Sequence, residues 1–215
     1  MENNRTIVIT DIHGELGKLN SLLNNLQICR SDEFIFMGDY IDRGENSKGV
    51  INRVIELGKS NKCIYLKGSH EYAFLHSLKN EEYYKFLFWT YGGVQTAESY
   101  GGYENIYPTH KSFFDNLLPY YATDKYFFVH AGIRPNIPLD KQDEKDFYYI
   151  RDEFYNYPHS LPQKIIFGHT DFSKVLIQDD KIGLDTGCGK YPNAVLTALI
   201  LENNRESFVT SKSAC

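Results

Sequence analysis

The sequence is poor in the features that mark membrane, secreted and nucleic-acid-binding proteins. It has no basic tract and a formal net charge of −5, which does not favour sequence-independent binding to nucleic acid. No apolar run approaches the roughly 18 residues that a membrane-spanning helix needs. The polar start, residues 1–5, shows no signal-peptide pattern. We therefore expect a cytoplasmic protein with neither a nucleic-acid nor a membrane partner.

Cysteine is also scarce, and its four positions form no recognisable framework. Cys29, Cys63, Cys188 and Cys215 include no C-x-x-C pair, and none has zinc-finger spacing to a histidine. We interpret them as free thiols in a reducing compartment. Cys29 and Cys63 are expected to be small buried hydrophobic residues.

The composition is that of a globular protein. Hydrophobic residues make up 42% of the 215 positions and charged residues 24%, a balance that allows one domain to bury a sizeable core. Aromatic residues are abundant, with 17 Tyr and 14 Phe. We predict a single domain over residues 1–203, followed by a frayed polar tail over 204–215.

The first third of the chain repeats one pattern three times. A short apolar strand ends in a polar, glycine-containing loop, and a helix with one apolar face follows. Three such units predict parallel strands with helices on the sheet faces, an α/β fold in which ligands gather at the carboxyl ends of the strands. The predicted strands span residues 6–10, 33–37 and 63–66, and the helices begin near residues 16, 47 and 71.

Residues 72–122 differ from this pattern, because Tyr, Phe and Leu are dense there and Gly-Gly pairs interrupt the segment. We predict a helical insertion over one edge of the sheet, next to the site, with its aromatic residues mainly in the core. Strands are expected again at residues 126–129 and 164–167, and the last third has the pattern of antiparallel β structure.

Five predicted strands end in side chains of the kind that bind metal ions. One such loop alone is more often an ordinary polar turn, since Asp and Gly are common turn residues. Five of them in one chain favour a shared site. Mixed imidazole and carboxylate ligands without thiolate suit divalent Mn, Fe or Zn, and two such ions would attract a phosphate. The candidate residues are Asp11, His13, Asp39, the Ser69–His70 loop, His130 and His169.

These loops resemble the five ordered motifs of the calcineurin-like metallophosphoesterases. Within that family the chain is most similar to the bacterial and phage branch of the PPP-type serine/threonine phosphatases, which includes diadenosine tetraphosphatases. The resemblance covers residues 6 to about 200 and implies a β-sandwich of mixed sheets flanked by helices. It is carried by Asp11-x-His13, Gly38-Asp39-x-x-Asp42-Arg43, Gly68-Ser69-His70-Glu71, His130-Ala131-Gly132 and Gly168-His169.

The resemblance also implies a role for each residue. Two divalent ions would be bound, with manganese expected and iron, zinc, nickel or cobalt as alternatives, and a metal-bound hydroxide would be the nucleophile. His70 would be the general acid and Asp42 its orienting carboxylate. Arg43 and Arg151 would bind the phosphate, although Arg151 could instead form a surface ion pair. The implied metal ligands are Asp11, His13 and Asp39 for the first ion, and Asp39, Ser69, His130 and His169 for the second.

Ser69 departs from the family pattern, in which an Asn ligates the second metal. Three interpretations stay open. Ser69 could take the ligand position at lower affinity, directly or through a water; the substitution could weaken the second metal; or the protein could bind phosphate without turnover.

Three functions are therefore carried forward. The first is a dinuclear-metal phosphatase acting on phosphoserine, phosphothreonine or phosphotyrosine in proteins, or on small phosphoesters. The second is a diadenosine tetraphosphatase or related nucleotide phosphohydrolase. The third is a phosphate-binding protein with weakened catalysis.

Overall fold

Two five-stranded sheets pack face to face in the computed structural model, which describes residues 5–212. The first sheet has the order β10-β9-β1-β2-β3 and the second the order β4-β5-β6-β8-β7. The strands are β1 Thr6–Ile9, β2 Glu33–Phe36, β3 Lys62–Tyr65, β4 Tyr120–Ala122, β5 Tyr126–Val129, β6 Lys164–Phe167, β7 Leu176–Ile177, β8 Lys181–Gly183, β9 Thr197–Glu202 and β10 Arg205–Thr210.

Helices cover the outer faces of the sandwich. Short 3-10 helices at Tyr103–Asn105 and Leu139–Lys141 complete the regular structure of the described residues. The α-helices are α1 Leu16–Asn25, α2 Ser47–Leu57, α3 Ser69–Ser77, α4 Glu82–Thr90, α5 Gly93–Tyr100, α6 Ile106–Asp115, α7 Asp146–Tyr149 and α8 Asp152–Tyr155. The predicted α/β sandwich of mixed sheets flanked by helices is confirmed.

The strand directions explain why the polar loops meet. β1, β2 and β3 are parallel neighbours, and so are β5, β6 and β8. Parallel neighbours bring their carboxyl ends to one edge of a sheet. Apolar residues from both sheets, among them Val8, Ile35, Phe128 and Ile166, form the layer between them. A shared edge of the sandwich is thereby held rigid.

The predicted insertion is helical, but its aromatic residues are divided between core and surface. α3 begins at Ser69, two residues before the predicted start, and β4 closes the segment. Tyr84 and Phe88 are buried, as predicted. Phe86 and Trp89 are exposed, so the prediction of a mainly buried stripe is wrong for this half of α4.

The end of the chain is more ordered than expected. Residues 205–210 form β10 and pair antiparallel with β9, so the prediction of a frayed tail is wrong for them. The apolar residues of β10 are Phe208 and Val209 alone, and backbone pairing with β9 compensates for this weak apolar signal. Residues 213–215, also part of the predicted tail, lie outside the described residues, as do residues 1–4. β8 also departs from the expected antiparallel end, because it pairs parallel with β6.

The cysteines among the described residues are free thiols, as expected. Cys63 is half-buried, and burial raises the pKa of its thiol to about 11. Cys29 is exposed, so its predicted burial is wrong. Cys215 lies outside the described residues.

Ile166 offers a test of the sandwich interface. The residue is fully buried on β6, and replacement by alanine removes methyl groups from the layer between the sheets. We expect Ile166→Ala to lower the free energy of unfolding by about 2 to 5 kcal/mol in urea denaturation. The matched control is Ile177→Ala on β7, whose side chain is 58% exposed. Equal losses for the two variants would contradict the described packing.

Candidate active site

The five predicted loops converge at the shared edge of the sandwich. Backbone hydrogen bonds join the first two, from Asp11 N to Gly38 O at 3.1 Å and from His13 N to Asp39 O at 2.9 Å. The ring of His130, which follows β5 in the second sheet, binds Met37 O of the first sheet through Nδ1 at 2.8 Å. The site is therefore built across both sheets, and each sheet helps to orient the other's side chains.

The backbone at this edge is strained. Six of the predicted site residues adopt a positive φ, a region that residues other than glycine seldom enter. Strain of this kind costs on the order of 1 to 3 kcal/mol per residue and persists where the surrounding contacts over-determine the conformation, which is common at functional sites. The six are Asp11, His13, Asp39, Asp42, Arg43 and His169.

Asp39 lies at the centre of the cluster. Its Oδ2 atom is 3.4 Å from His130 Nε2, 3.7 Å from His13 Nε2 and 3.9 Å from His70 Nε2. Asp39 is buried, but the neighbouring imidazoles outweigh the burial and hold its pKa well below the usual range. An ionised carboxylate at this point can contact cations on two sides.

Three buried atoms around Asp39 have the character of metal ligands. Within residues 5–212, Asp11 Oδ1, His13 Nε2 and His130 Nε2 have no aligned hydrogen-bond partner. Both imidazoles place Nδ1 on a backbone carbonyl, His13 on Ile41 O at 3.1 Å and His130 on Met37 O at 2.8 Å. This arrangement leaves Nε2 to face the site, which is how metal-binding histidines are held. The donor set therefore fits divalent cations.

Two overlapping groups could each hold an ion. His13, Asp39 and His70 place ligand atoms within 4.8 Å of one another, and so do Asp39, His130 and His169. Asp39 belongs to both groups, as the predicted bridging role requires. Asp11 lies at the edge of the first group, with Oδ1 3.8 Å from His13 Nε2.

The pKa values of the histidines differ with their neighbours. Burial lowers the pKa of His13 well below its usual value, and the nearby Arg43 adds to the effect. Burial likewise lowers the pKa of His169, with His130 adding to it. His130 is equally buried, but Asp39 outweighs the burial and raises its pKa to about 9. The 3.4 Å contact between His130 and Asp39 is electrostatic, since His130 Nε2 has no aligned acceptor.

His70 and Asp42 form a tight pair. His70 Nδ1 is 2.6 Å from Asp42 Oδ2, and the Nε2 edge of the ring faces Arg43 at 3.3 Å. Burial opposes a charge on His70, but the Asp39 and Asp42 carboxylates outweigh it and raise its pKa above the usual value. This pairing can hold a protonated imidazole at the site.

Sequence reasoning missed the groups that hold Asp42. Thr96, on α5, accepts a hydrogen bond from Asp42 N at 2.8 Å and donates one to Asp42 Oδ1 at 2.7 Å. Ser47, at the start of α2, contacts Thr96 Oγ1 at 2.9 Å. No local signal marks this contact, because Thr96 is 54 positions from Asp42 and lies in the insertion.

Glu71 was identified as part of a motif but given no role. Its buried carboxylate accepts hydrogen bonds from the backbone N–H groups of Gly68, Asp39, Tyr40 and Ile41, at 2.8 to 3.2 Å. Burial, helped by the negative charge of Asp39, raises its pKa to about 7. Glu71 thus ties the Asp39 loop to the start of α3.

Ser69 points at the central carboxylate. Its hydroxyl donates to Asp39, with Oγ 3.1 Å from Oδ2 and 3.3 Å from Oδ1. The hydroxyl oxygen stays in the cluster and offers its lone pairs, although no Asn-like carbonyl is available. Its role as a ligand stays a prediction.

A pocket opens beside this cluster. It has a volume of about 260 Å³ and is lined by His70, His169 and Ser69 together with aromatic residues of the insertion. Arg43 and Arg151 both line it. Arg151 is exposed, and no carboxylate among residues 5–212 lies within ion-pair distance of it, so the alternative of a surface ion pair finds no partner there.

Comparison with known proteins agrees with these features. The sequence pattern of the calcineurin-like phosphoesterases matches residues 5–210. A candidate serine/threonine-protein phosphatase of Schizosaccharomyces pombe is 24% identical over 212 residues, which are 97% of this chain and 62% of the relative. A PP2A-like serine/threonine-protein phosphatase of Saccharomyces cerevisiae is 27% identical over 155 residues, 71% of this chain and 38% of the relative. The chain thus spans less than two thirds of the length of each of these two relatives.

A solved structure supports the fold. The crystal structure of a candidate diadenosine tetraphosphatase superposes with a TM-score of 0.75 at 22% identity, covering 99% of this chain and 96% of that one. At this identity the likeness shows the fold. Among the described residues, no helix has both the length and the apolar character needed to cross a bilayer.

Thr96 provides a test of how Asp42 is held. Thr96→Val keeps the shape of the side chain but removes the hydroxyl that accepts from Asp42 N and donates to its carboxylate. Because a hydrogen bond to a charged group contributes about 1.5 to 3 kcal/mol, we expect kcat for an aryl phosphate to fall about 10-fold or more, with KM little changed. Thr96→Ser keeps the hydroxyl and should retain most of kcat. Equal kcat for the Val variant and the wild type would refute this role.

Proposed function

Because the chain belongs to the calcineurin-like phosphoesterase family, we propose that it is a metal-dependent phosphatase acting on phosphoproteins or small phosphoesters. The observation that carries the proposal is the ring of buried, unpartnered ligand atoms around Asp39. Buried polar atoms without partners are rare and costly, so a site that keeps three of them needs a compensating ligand. Divalent cations are the compensating ligand that these donors suit.

We assign two cations to the site. Asp11, His13 and Asp39 would hold the first, and Asp39 would share the second with Ser69, His130 and His169. Manganese is proposed, with iron, zinc, nickel or cobalt as alternatives. When bound, such ions offset phosphoryl charge and lower the pKa of a coordinated water. His70 also lies within reach of the first group, but its 2.6 Å contact with Asp42 favours a role in proton transfer.

The side chains around the pocket would position the ester. Arg43 and Arg151 would bind phosphoryl oxygens with their planar guanidinium groups. His70 would donate a proton from Nε2 to the leaving oxygen, while Asp42 holds Nδ1 and fixes the ring orientation. Arg43, 3.3 Å from His70 Nε2, brings the bound phosphate next to the proton donor.

Hydrolysis of a dinucleoside polyphosphate is a second candidate. The observation that favours it is the exposed aromatic surface beside the site, on which a base could stack. The candidate diadenosine tetraphosphatase shares the fold along almost the whole chain.

Metal dependence and substrate class can be tested together. Hydrolysis of phosphoserine, phosphothreonine and phosphotyrosine peptides and of diadenosine tetraphosphate should be measured with Mn, Ni, Co, Zn and Mg in turn. We expect peptide turnover that EDTA abolishes and Mn restores.

Asp39→Ala should reduce turnover to background and weaken Mn binding in calorimetry. Asp124→Ala, which changes an exposed carboxylate between β4 and β5, is the control. Turnover that survives EDTA would refute the metal-dependent function, and preference for the tetraphosphate would favour the second candidate.

Ser69→Asn tests the departure from the family pattern. Asparagine supplies a carbonyl oxygen, a better ligand for a divalent cation than a neutral hydroxyl. We therefore expect tighter Mn binding in calorimetry and faster hydrolysis of an aryl phosphate, each by roughly 10-fold, the scale on which ligand-shell changes act. The control is Ser112→Asn, which makes the same change at an exposed position on α6. Unchanged or lower values for Ser69→Asn would contradict the assignment of Ser69 to the second cation.

A further inference from the structure

We infer that the pocket beside Arg43 and Arg151 selects phosphoesters whose leaving group is an aromatic ring, and phosphotyrosine in particular. This inference rests on the proposed phosphatase function and specifies its substrate class. It follows from the wall of the pocket, from the size of the pocket and from its charge.

One wall of the pocket is a stripe along α4. Tyr83, Leu87 and Tyr91 all line it. They are spaced four residues apart, so they lie above one another on one face of the helix. The face presents two tyrosine rings with an aliphatic side chain between them, a surface suited to a flat apolar group.

The two tyrosine rings of this stripe face solvent, while Leu87 between them packs partly against the core. Tyr83 is 66% exposed and Tyr91 is 54% exposed. Exposed aromatic side chains that line a concave surface are typical of binding sites. Packing within the domain therefore does not account for these rings.

A second aromatic element is rigidly held at the pocket. The Tyr149 hydroxyl donates to Ser69 O at 3.1 Å, and its ring meets the His169 ring edge-on, with centroids 6.1 Å apart. Tyr149 also contacts the Tyr72 ring at a centroid distance of 5.9 Å. Its ring is thus fixed between the proposed metal ligands and the pocket, where it can contact an aryl group in the edge-to-face geometry that aromatic pairs prefer.

The aromatic wall is joined directly to the phosphate-binding end. Arg43 N donates to Gly92 O at 3.3 Å, immediately after Tyr91. Gly92 has a φ of +110°, and a Cβ there would lie 2.3 Å from Arg43 N, so only glycine permits this close approach. A ring on the stripe and a phosphate on Arg43 are therefore placed next to each other.

The size and charge of the pocket favour a monoester. Its volume of about 260 Å³ is below the roughly 300 to 1,000 Å³ of sites that enclose drug-sized ligands, and a dinucleoside polyphosphate is larger still. The residues that line it include two arginines, Arg43 and Arg151, and no lysine. Two guanidinium groups match the charge of one phosphate better than that of a chain of four.

In the reaction, the oxygen of a water molecule bonds to phosphorus and the bond between phosphorus and the phenolic oxygen breaks. His70 gives the phenolic oxygen a proton, and a proton from the water is released to a base or to solvent. The products are inorganic phosphate and the free phenol, tyrosine in the case of a peptide.

Binding of inert phosphonates isolates the contribution of the ring from leaving-group reactivity. Calorimetry on the Mn-loaded protein should show phenylphosphonate binding about 3- to 10-fold more tightly than methylphosphonate, the range expected for an aromatic contact. Tyr83→Ala should remove most of this preference, and Tyr83→Phe should keep it. The matched control is Phe86→Ala, which removes a ring 62% exposed on the same helix but outside the pocket lining.

Turnover supplies the second arm. The ratio of kcat/KM for a phosphotyrosine peptide to that for the matching phosphoserine peptide should fall in Tyr83→Ala and stay at the wild-type value in Phe86→Ala. Two further substrates separate the possible kinds of site. A preference for AMP would indicate a site that stacks a base, and a preference for free phosphotyrosine over the peptide would indicate a site for small molecules. The inference is overturned if the two phosphonates bind equally, if Tyr83→Ala and Phe86→Ala behave alike, or if AMP is preferred to both phosphotyrosine substrates. If phenylphosphonate binds more tightly than methylphosphonate but no ester is hydrolysed, the proposed phosphatase function is refuted, while the inference that the pocket binds an aromatic ring is retained.

Discussion

The carboxylate of Glu71 is the interaction on which the site depends. It gathers four backbone N–H groups, three from the loop after β2 and one from the turn into α3. Asp39, the centre of the cluster, belongs to that loop, and the N–H of His70 donates to Asp39 Oδ1 at 2.9 Å. A loop with left-handed residues at Asp39 and Asp42 is costly by itself, so the hydrogen bonds to a buried acid offset part of the strain. The proposed central metal ligand, Asp39, and the proposed proton donor, His70, therefore share one support.

Both sheets contribute side chains to the cluster, because their strands end at the same edge of the sandwich. The first sheet supplies Asp11, His13 and Asp39, and the second supplies His130 and His169, but the orienting hydrogen bond of His130 goes to Met37 in the first. The packed layer between the sheets therefore sets the distances between the side chains of the cluster. The geometry of the site depends in this way on the packing of the core. This is why a site made almost wholly of loops can be rigid.

Much of the fold and of the cluster could be predicted because the signals are local. Each of the first three strands is followed by an Asp or His near a glycine, and parallel strands bring such ends together without further information. Thr96 could not be found in this way, since its contact with Asp42 spans 54 positions and involves a hydroxyl with no motif around it. The prediction of a frayed tail fails for residues 205–210 because pairing with β9 orders a sequence whose own apolar signal is weak. On α4, Phe86 and Phe88 are the same residue type two positions apart. Only the tertiary packing decides that Phe88 is buried and Phe86 is exposed.

The helical insertion contributes to the site through two of its helices. α4 forms the aromatic wall, and α5 carries the hydroxyl that holds Asp42, with Tyr91 and Gly92 between the two helices. The two helices are in contact, so the backbone of α4 cannot shift without disturbing α5, which supports the His70–Asp42 pair. Exchange of this segment between related chains would therefore change the wall of the pocket and the support of Asp42 together. Diversification within such a lineage is thus expected to proceed through the exposed side chains of α4, while the glycine junction and α5 stay unchanged.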